Sequence, residues 1–346
     1  MPFFKLFGGK TMVVGYDGLS PGEKIHYSKI YHAILNGDGS VTLLGIFKMD
    51  IIERIIIALK YDHIELFYVD FQRINCAIAP IGMIYYIHYI VRPSVRAIMN
   101  QNVENWISEA MREMQLTGNE NEAAIYRKTH NYLIRNIEYD YDALQNPDAY
   151  PESFTIQGIF ERKKAVCEGI SKAFKLLCDR AGAGNVHVVE GTYSREGFGN
   201  SIPHAWNIVG FGAAYSHVDV TWDLGSSKVC RHNRYDYFMI PDDWIKKDHT
   251  YTSSIQCQTC DQSYFIQQHS LIAGNRTLEE FIKQKLHQKN SFLYFKIIGE
   301  NGIPDDIDYK IQNLVLGMIR QYSQGTYSLK MAHNKAQHIY FYKINY

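Results

Sequence analysis

The segment 167–182 constrains this chain more than any other. Ile170, Ala173, Phe174, Leu177, Cys178 and Ala181 recur at helical spacing, and Gly182 supplies a C-terminal stop. Three short alternating stretches follow, at 186–192, 204–209 and 216–222. A helix followed by consecutive strands predicts an α+β unit with an antiparallel sheet rather than a doubly wound parallel one. The helix that opens this unit begins on a cysteine.

Cys167 stands where a loop turns into that helix. Backbone N–H groups at a helix N-terminus have no intrahelical acceptor and carry partial positive charge. They favour a thiolate over a thiol and can hold the oxyanion of a tetrahedral intermediate. Gly169, in the first turn, is expected to leave room for substrate. A cysteine nucleophile needs a base that takes its proton and later returns one to the leaving group. His204 is the best-placed candidate, opening the strand 204–209 (HAWNIV) just after Pro203. The imidazole in turn needs an acceptor that fixes its tautomer. Asp219 fills that place on a strand read over 217–223 (HVDVTWD). There Val218, Val220 and Trp222 share one face, and Asp219, Thr221 and Asp223 the other. Asp223 and Asn207 compete for the same role. A hairpin through Gly210 and Gly212 would bring His204 beside Asp219.

The ordered pieces AVCEGISKAFKLLCDRAG, HAWNIV and HVDVTWD resemble the transglutaminase-like superfamily, built on a papain-like fold, in its bacterial intracellular or cell-surface form. The resemblance covers residues 122–249, and the pieces 62–70, 131–143 and 235–249 share it. It implies Cys167 as nucleophile, His204 as general base and acid, and Asp219 as the orienting residue, with Trp206 and Trp222 walling the site. Two positions depart from the family pattern. Gln157 stands near where an aromatic residue is usual, and its amide is a candidate oxyanion donor, although its spacing to Cys167 is not the papain one. Ile170 stands where Tyr is common. Glu168 reads as an exposed charge at the helix start, with substrate binding as the alternative.

A chain of 346 residues is long for one core. Pattern divides it into an N-terminal α+β region (1–118), a transglutaminase-like catalytic core (119–249) and a small C-terminal α/β region (250–346). In the first region, Ser20, Pro21 and Glu23 read as a capped helix start and Gly37 as its stop. A second helix is expected from Asp50, with Glu53 in the matching capping position, then strands at 65–70 and 76–91 and a helix at 93–114. The polar run 117–121 is a linker candidate. The third region is expected to hold helices at 277–288 and 309–322, with strands at 292–298, 327–331 and 338–344.

Lys plus Arg and Asp plus Glu both number 36, so charge gives no reason to expect nucleic acid or an anionic membrane as partner. No stretch offers about twenty unbroken apolar residues, so no membrane span is expected. Residues 1–10 lack a signal-peptide core, which favours a cytoplasmic protein, or a cell-surface one if a leader is removed. The six cysteines are too sparse for a disulfide scaffold. Cys257 and Cys260, with Cys230 and His232, form an incomplete zinc pattern, read as loop thiols. No calcium loop is evident, and no metal or cofactor is expected. The GLSPG at 18–22 mimics a serine nucleophile elbow, but Pro21 lacks the N–H that the oxyanion hole requires. The GKT at 9–11 ends like a P-loop, but Phe4 occupies the first glycine position.

The function expected is cysteine-dependent acyl transfer on an amide or peptide carbonyl of a protein or peptide substrate, through a thioacyl-enzyme. Hydrolysis is favoured, because water is always present and its exclusion takes a purpose-built tunnel. Crosslinking to an amine uses the same triad. The alternative is a non-catalytic interaction module on the same fold.

Overall fold

Local chemistry places the first helix, α1 (Pro21–Asn36). The Ser20 hydroxyl accepts from the Glu23 amide, the Glu23 carboxylate accepts from the Ser20 amide at 2.8 Å, and Pro21 fills the first helical position. The helix ends where Gly37 takes a left-handed φ of +80°. The computed structural model describes residues 15–46, 48–194, 201–272, 278–299, 306–322 and 327–345. The GKT at 9–11 and Phe4 lie outside them.

The N-terminal region continues through β1 (Ser40–Leu44), α2 (Met49–Asp62), β2 (Asn75–Ala79), β3 (Gly82–Tyr86) and α3 (Arg96–Glu113). Its antiparallel sheet has the order β1-β3-β2. Three expectations are corrected here. Helix α2 starts after Lys48 with no side-chain cap, so Asp50 lies inside the first turn, where its charge suits the helix dipole. The aromatic run 65–70 is a 3₁₀ turn (Ile64–Leu66) followed by a bend, touching a strand partner only at the Val69–Tyr89 bridge. The run 76–91 is a hairpin, because Pro80 has no N–H to give a ladder and the chain reverses there.

The core follows as α4 (Glu122–Asn136), β4 (Glu138–Tyr139), α5 (Tyr141–Gln145), α6 (Gln157–Arg162), β5 (Lys164–Ala165), α7 (Cys167–Arg180), β6 (Val186–Tyr193), β7 (Ile202–Phe211), β8 (Ala214–Val218), α8 (Val220–Cys230), β9 (Phe238–Ile240), α9 (Asp242–Ile245) and β10 (His249–Thr250). The five-stranded sheet is antiparallel throughout, in the order β10-β6-β7-β8-β9. Helix α7 packs on β6 and β7 on one side and on α4 on another, and its Ile170, Ala173, Phe174, Leu177 and Cys178 are all fully buried, with Phe174 against Tyr126 of α4. Burying a side chain the size of Phe or Leu stabilises by about 1.5–3 kcal/mol. This is the α+β arrangement that the helix-then-strands order predicts.

The remaining chain forms α10 (Tyr264–Gln267), β11 (Leu271–Ile272), α11 (Leu278–His287), β12 (Phe292–Ile297), α12 (Ile307–Tyr322), β13 (Ser328–Asn334) and β14 (Ile339–Asn345), with sheet order β11-β12-β14-β13. One cluster of buried apolar side chains draws on residues from Leu19 to Phe341 and so on all three expected regions, while a second, from Ile272 to Ile344, belongs to the C-terminal region alone. Among the described residues, no helix is long and apolar enough to cross a membrane.

Candidate active site

Cys167 is the first residue of α7, directly after Val166, and is 5% exposed. The Val166 amide donates to the Ser153 carbonyl at 3.1 Å, which fixes the approach of the chain. The helix start is then pinned to the sheet. The Ser171 hydroxyl donates to the carbonyls of Cys167 (2.8 Å) and Ala205 (3.1 Å), and the Asn207 amide donates to the Ser171 carbonyl at 3.1 Å. These bonds set Cys167 level with the start of β7. Gly169 does not open the site to substrate, contrary to expectation. A Cβ there would stand 2.5 Å from the Ser153 carbonyl oxygen and 2.9 Å from that of Thr155, so its room is filled by the chain's own backbone.

His204 projects from β7, and its Nε2 lies 2.6 Å from Asp219 Oδ2. With Nε2 taken by Asp219, Nδ1 is the nitrogen left for the neighbouring Cys167 side chain. Burial alone would depress the His204 pKa, but the Asp219 carboxylate and the Cys167 side chain outweigh it and raise it to about 10. Asp219 is fully buried, which opposes ionisation, yet His204 and His249 together hold its carboxyl well below the usual range. Asp219 is not on a strand, as expected from alternation. Strand β8 ends at Val218, and Asp219 is the N-cap of α8, its Oδ1 accepting from the Trp222 amide at 3.1 Å. An aspartate that can cap a helix competes with strand continuation, and the alternation of Val218, Val220 and Trp222 conceals that choice. Of its competitors, Asp223 bonds His130 Nε2 at 3.0 Å and Asn207 holds α7, so neither faces His204.

Trp206 stacks near His204 with ring centroids 5.8 Å apart and 17° between planes. Trp222 lies at 6.0 Å from His204 and packs on Tyr193 at 4.0 Å. Both flank the imidazole. Two residues escaped the sequence reading. Tyr139, on β4 beside the β5 strand that leads into Cys167, lies close to that cysteine, and burial with the nearby thiol pushes its phenol well above the ordinary value. His249 Nε2 bonds Asp219 Oδ2 at 3.1 Å, thirty residues further along the chain.

Glu168 is not an exposed charge. It is 1% exposed and bonds Lys172 Nζ at 2.6 Å and the Gln72 amide at 2.7 Å, with Lys60 Nζ at 3.4 Å. Lys60 in turn bonds Glu190 at 2.7 Å, and Tyr61 donates to the same carboxylate. Burial opposes charge on Glu168, but Lys172 and Lys60 hold its carboxyl below the ordinary range. Gln157 is not turned to the cysteine, because its amide donates to Glu161 at 2.9 Å on the outside of α6.

The zinc pattern does not assemble among the described residues. Cys230 accepts from Arg234, His232 lies against Phe292 and Phe341, and Cys257 packs with Val189, Trp206 and Ile208. Two other groups bring ligand atoms within 4.8 Å, namely His204, Asp219 and His249, and His217, Asp242 and Cys257. Neither suits a metal as arranged. Two ligands of one tetrahedral zinc stand about 3.3 Å apart when each bond is about 2 Å, whereas His204 and Asp219 meet at 2.6 Å. His217 Nδ1 accepts from the Trp206 indole N–H at 3.1 Å, so its Nε2 holds the ring proton and faces Asp242 as a donor, not as a ligand.

Residues 109–220 match the transglutaminase-like superfamily. Among solved structures, the chain is similar to one described as "Crystal structure of a TGase", at 18% identity and a TM-score of 0.27, over 43% of this chain and 44% of that one. The chain thus spans under half the length of that structure. No curated protein matches. The matched segment contains Cys167, His204 and Asp219 in the order read from the sequence, and it is over these residues that the chain is similar to the transglutaminase-like superfamily.

Proposed function

We propose that this protein is a cysteine-dependent acyl-transfer enzyme acting on amide or peptide carbonyls of protein or peptide substrates. One observation carries the reading: a buried Asp219–His204 pair at 2.6 Å ends on a cysteine at a helix N-terminus. In this scheme His204 takes the thiol proton and Cys167 attacks the carbonyl carbon. Backbone N–H groups at the start of α7 receive the oxyanion. His204 protonates the departing amine, leaving a thioacyl-enzyme. Water then hydrolyses that thioester, with His204 as its base. An amine acceptor in place of water gives crosslinking from the same intermediate. Hydrolysis is the favoured outcome, since keeping water out takes a dedicated tunnel. Residues 119–249 supply this chemistry, with 1–118 and 250–346 as flanking regions.

The test is the rate of Cys167 alkylation by iodoacetamide across pH, with His204→Ala as comparison. Fast, selective labelling near pH 6 that slows in His204→Ala supports a working Cys–His pair. Labelling at the rate of an ordinary thiol, indifferent to His204, leaves a non-catalytic scaffold as the better reading. Peptide cleavage and incorporation of a fluorescent primary amine then separate hydrolysis from crosslinking.

A further inference from the structure

His249 stands between two carboxylates. Its Nε2 is 3.1 Å from Asp219 Oδ2 and its Nδ1 is 2.6 Å from Asp248 Oδ1. All three residues are at least nine-tenths buried, so solvent does not supply their partners. An ionised carboxylate only accepts hydrogen bonds, and a neutral imidazole has a single N–H. Two accepting carboxylates at the two ring nitrogens therefore call for a ring that carries both protons.

The surroundings support ionised carboxylates on both sides. Asp219 Oδ2 also faces His204 Nε2, and its Oδ1 accepts from the Trp222 amide. Asp248 Oδ2 accepts from the Tyr237 hydroxyl at 2.6 Å and from the Gln337 amide at 3.1 Å. The Gln337 amide orientation is itself fixed, since its Nε2 also donates to the Trp244 carbonyl at 2.9 Å while its Oε1 accepts from Lys296 Nζ at 3.3 Å. A cation between two buried carboxylates offsets charge that would otherwise be costly to bury. The other titratable groups around His249 are His204 on β7, Tyr193 on β6, Tyr237 before β9 and His217 on β8, with Lys296 of β12 beyond Asp248.

We propose that His249 is a positioning residue of the triad, an imidazolium clamped between Asp248 and Asp219 that fixes the carboxylate which in turn fixes His204. This rests on the triad reading above. With the Trp222 amide on one oxygen and His249 on the other, Asp219 has one orientation left in which to meet His204. The His249 charge also tempers the pull of Asp219 on the His204 proton, which must leave when the amine departs. The clamp is anchored outside the core, because Gln337 sits in the turn between β13 and β14. The C-terminal region thus supplies part of the active-site support.

The experiment uses the full chain with ring-¹⁵N-labelled histidine and iodoacetamide as the probe of Cys167. In the wild type, His249 is expected to show two protonated ring nitrogens at pH 7; a neutral ring there overturns the proposal. His249→Asn keeps a donor towards Asp248 and loses the one towards Asp219. It is expected to slow Cys167 labelling roughly tenfold or more, as small misplacements of catalytic groups do. It should also move the His204 titration upward by about one pH unit, the scale of losing a neighbouring charge. His249→Gln, whose amide reaches Asp219, is expected to restore the rate while the His204 titration stays raised. Rates and titrations equal to wild type in both variants overturn the proposal. The wild-type spectrum decides the protonation even where a variant fails to fold. If His204→Ala does not slow labelling of Cys167, the triad reading is what has failed and the proposal falls with it. If His204→Ala slows labelling and the His249 variants do not, the proposal alone fails.

Discussion

Lys60 on α2 and Glu190 on β6, 130 residues apart in the chain, meet at 2.7 Å with both side chains buried. Glu168, the residue after Cys167, lies on the other side of the same ammonium at 3.4 Å. Burial opposes charge on Lys60, but the two carboxylates outweigh it and raise its pKa above the ordinary value. Removing one partner of a buried ion pair costs about 3–5 kcal/mol, because the other charge is left uncompensated. Lys60→Met is therefore expected to lower stability by that amount in urea unfolding. Lys60→Met with Glu190→Gln should recover part of the loss, and no recovery means that the charges are not what the site is balancing.

Gly169→Ala tests what the missing side chain makes room for. The added methyl would press on the Ser153 and Thr155 carbonyls, and overpacking of this kind costs about 1–3 kcal/mol. A lower melting temperature is expected. An unchanged melting temperature with impaired substrate turnover would return the space to substrate.

The buried Tyr139 phenol neighbours the Cys167 thiol. Tyr139→Phe keeps the ring and removes the hydroxyl, whose interaction with the thiol is of the order of 1 kcal/mol net. Iodoacetamide labelling of Cys167 is expected to rise about fivefold, the equivalent of about 1 kcal/mol. A fall in rate would mean that the phenol helps to ionise the thiol.

Stability should depend on pH through the same pair. The folded-state pKa of His204 is raised from 6.5 to about 10, so its contribution is complete below pH 6.5 and is lost as pH rises through 10. That of Asp219 is depressed below its ordinary 3.8, so its contribution is present above that value and is lost as pH falls through the folded pKa. Urea unfolding of the wild type should weaken between pH 6.5 and 10, and His204→Gln should flatten that slope. Equal slopes in the two proteins would remove the ion pair from the account.

Much of this was legible in the sequence, for local reasons. Caps and stops are written in adjacent residues, so the ends of α1 and the start of α7 could be placed from Ser20, Gly37 and Cys167. Cys167, His204 and Asp219 stand in an order that a helix and a following sheet bring together. What could not be read depends on distant partners. Glu168 looks like a surface charge until Lys60 arrives from the other end of the fold. His249 carries no local signal, because its meaning lies in Asp219 and Asp248 at its two nitrogens. For Asp219 the family resemblance and the strand parity pointed the same way, but the parity does not hold, since strand alternation and a helix cap read alike over so few residues.

The two oxygens of Asp219 answer to different demands, one starting α8 and the other holding the histidines. Over generations these demands separate. If the proposed chemistry holds, a descendant freed from it would still need the carboxylate to begin the helix, whereas the sulfur of Cys167 has no comparable second duty. Among divergent copies of this chain, erosion should therefore reach Cys167 first, and lineages that have abandoned catalysis should be recognisable by a retained aspartate beside a vanished cysteine.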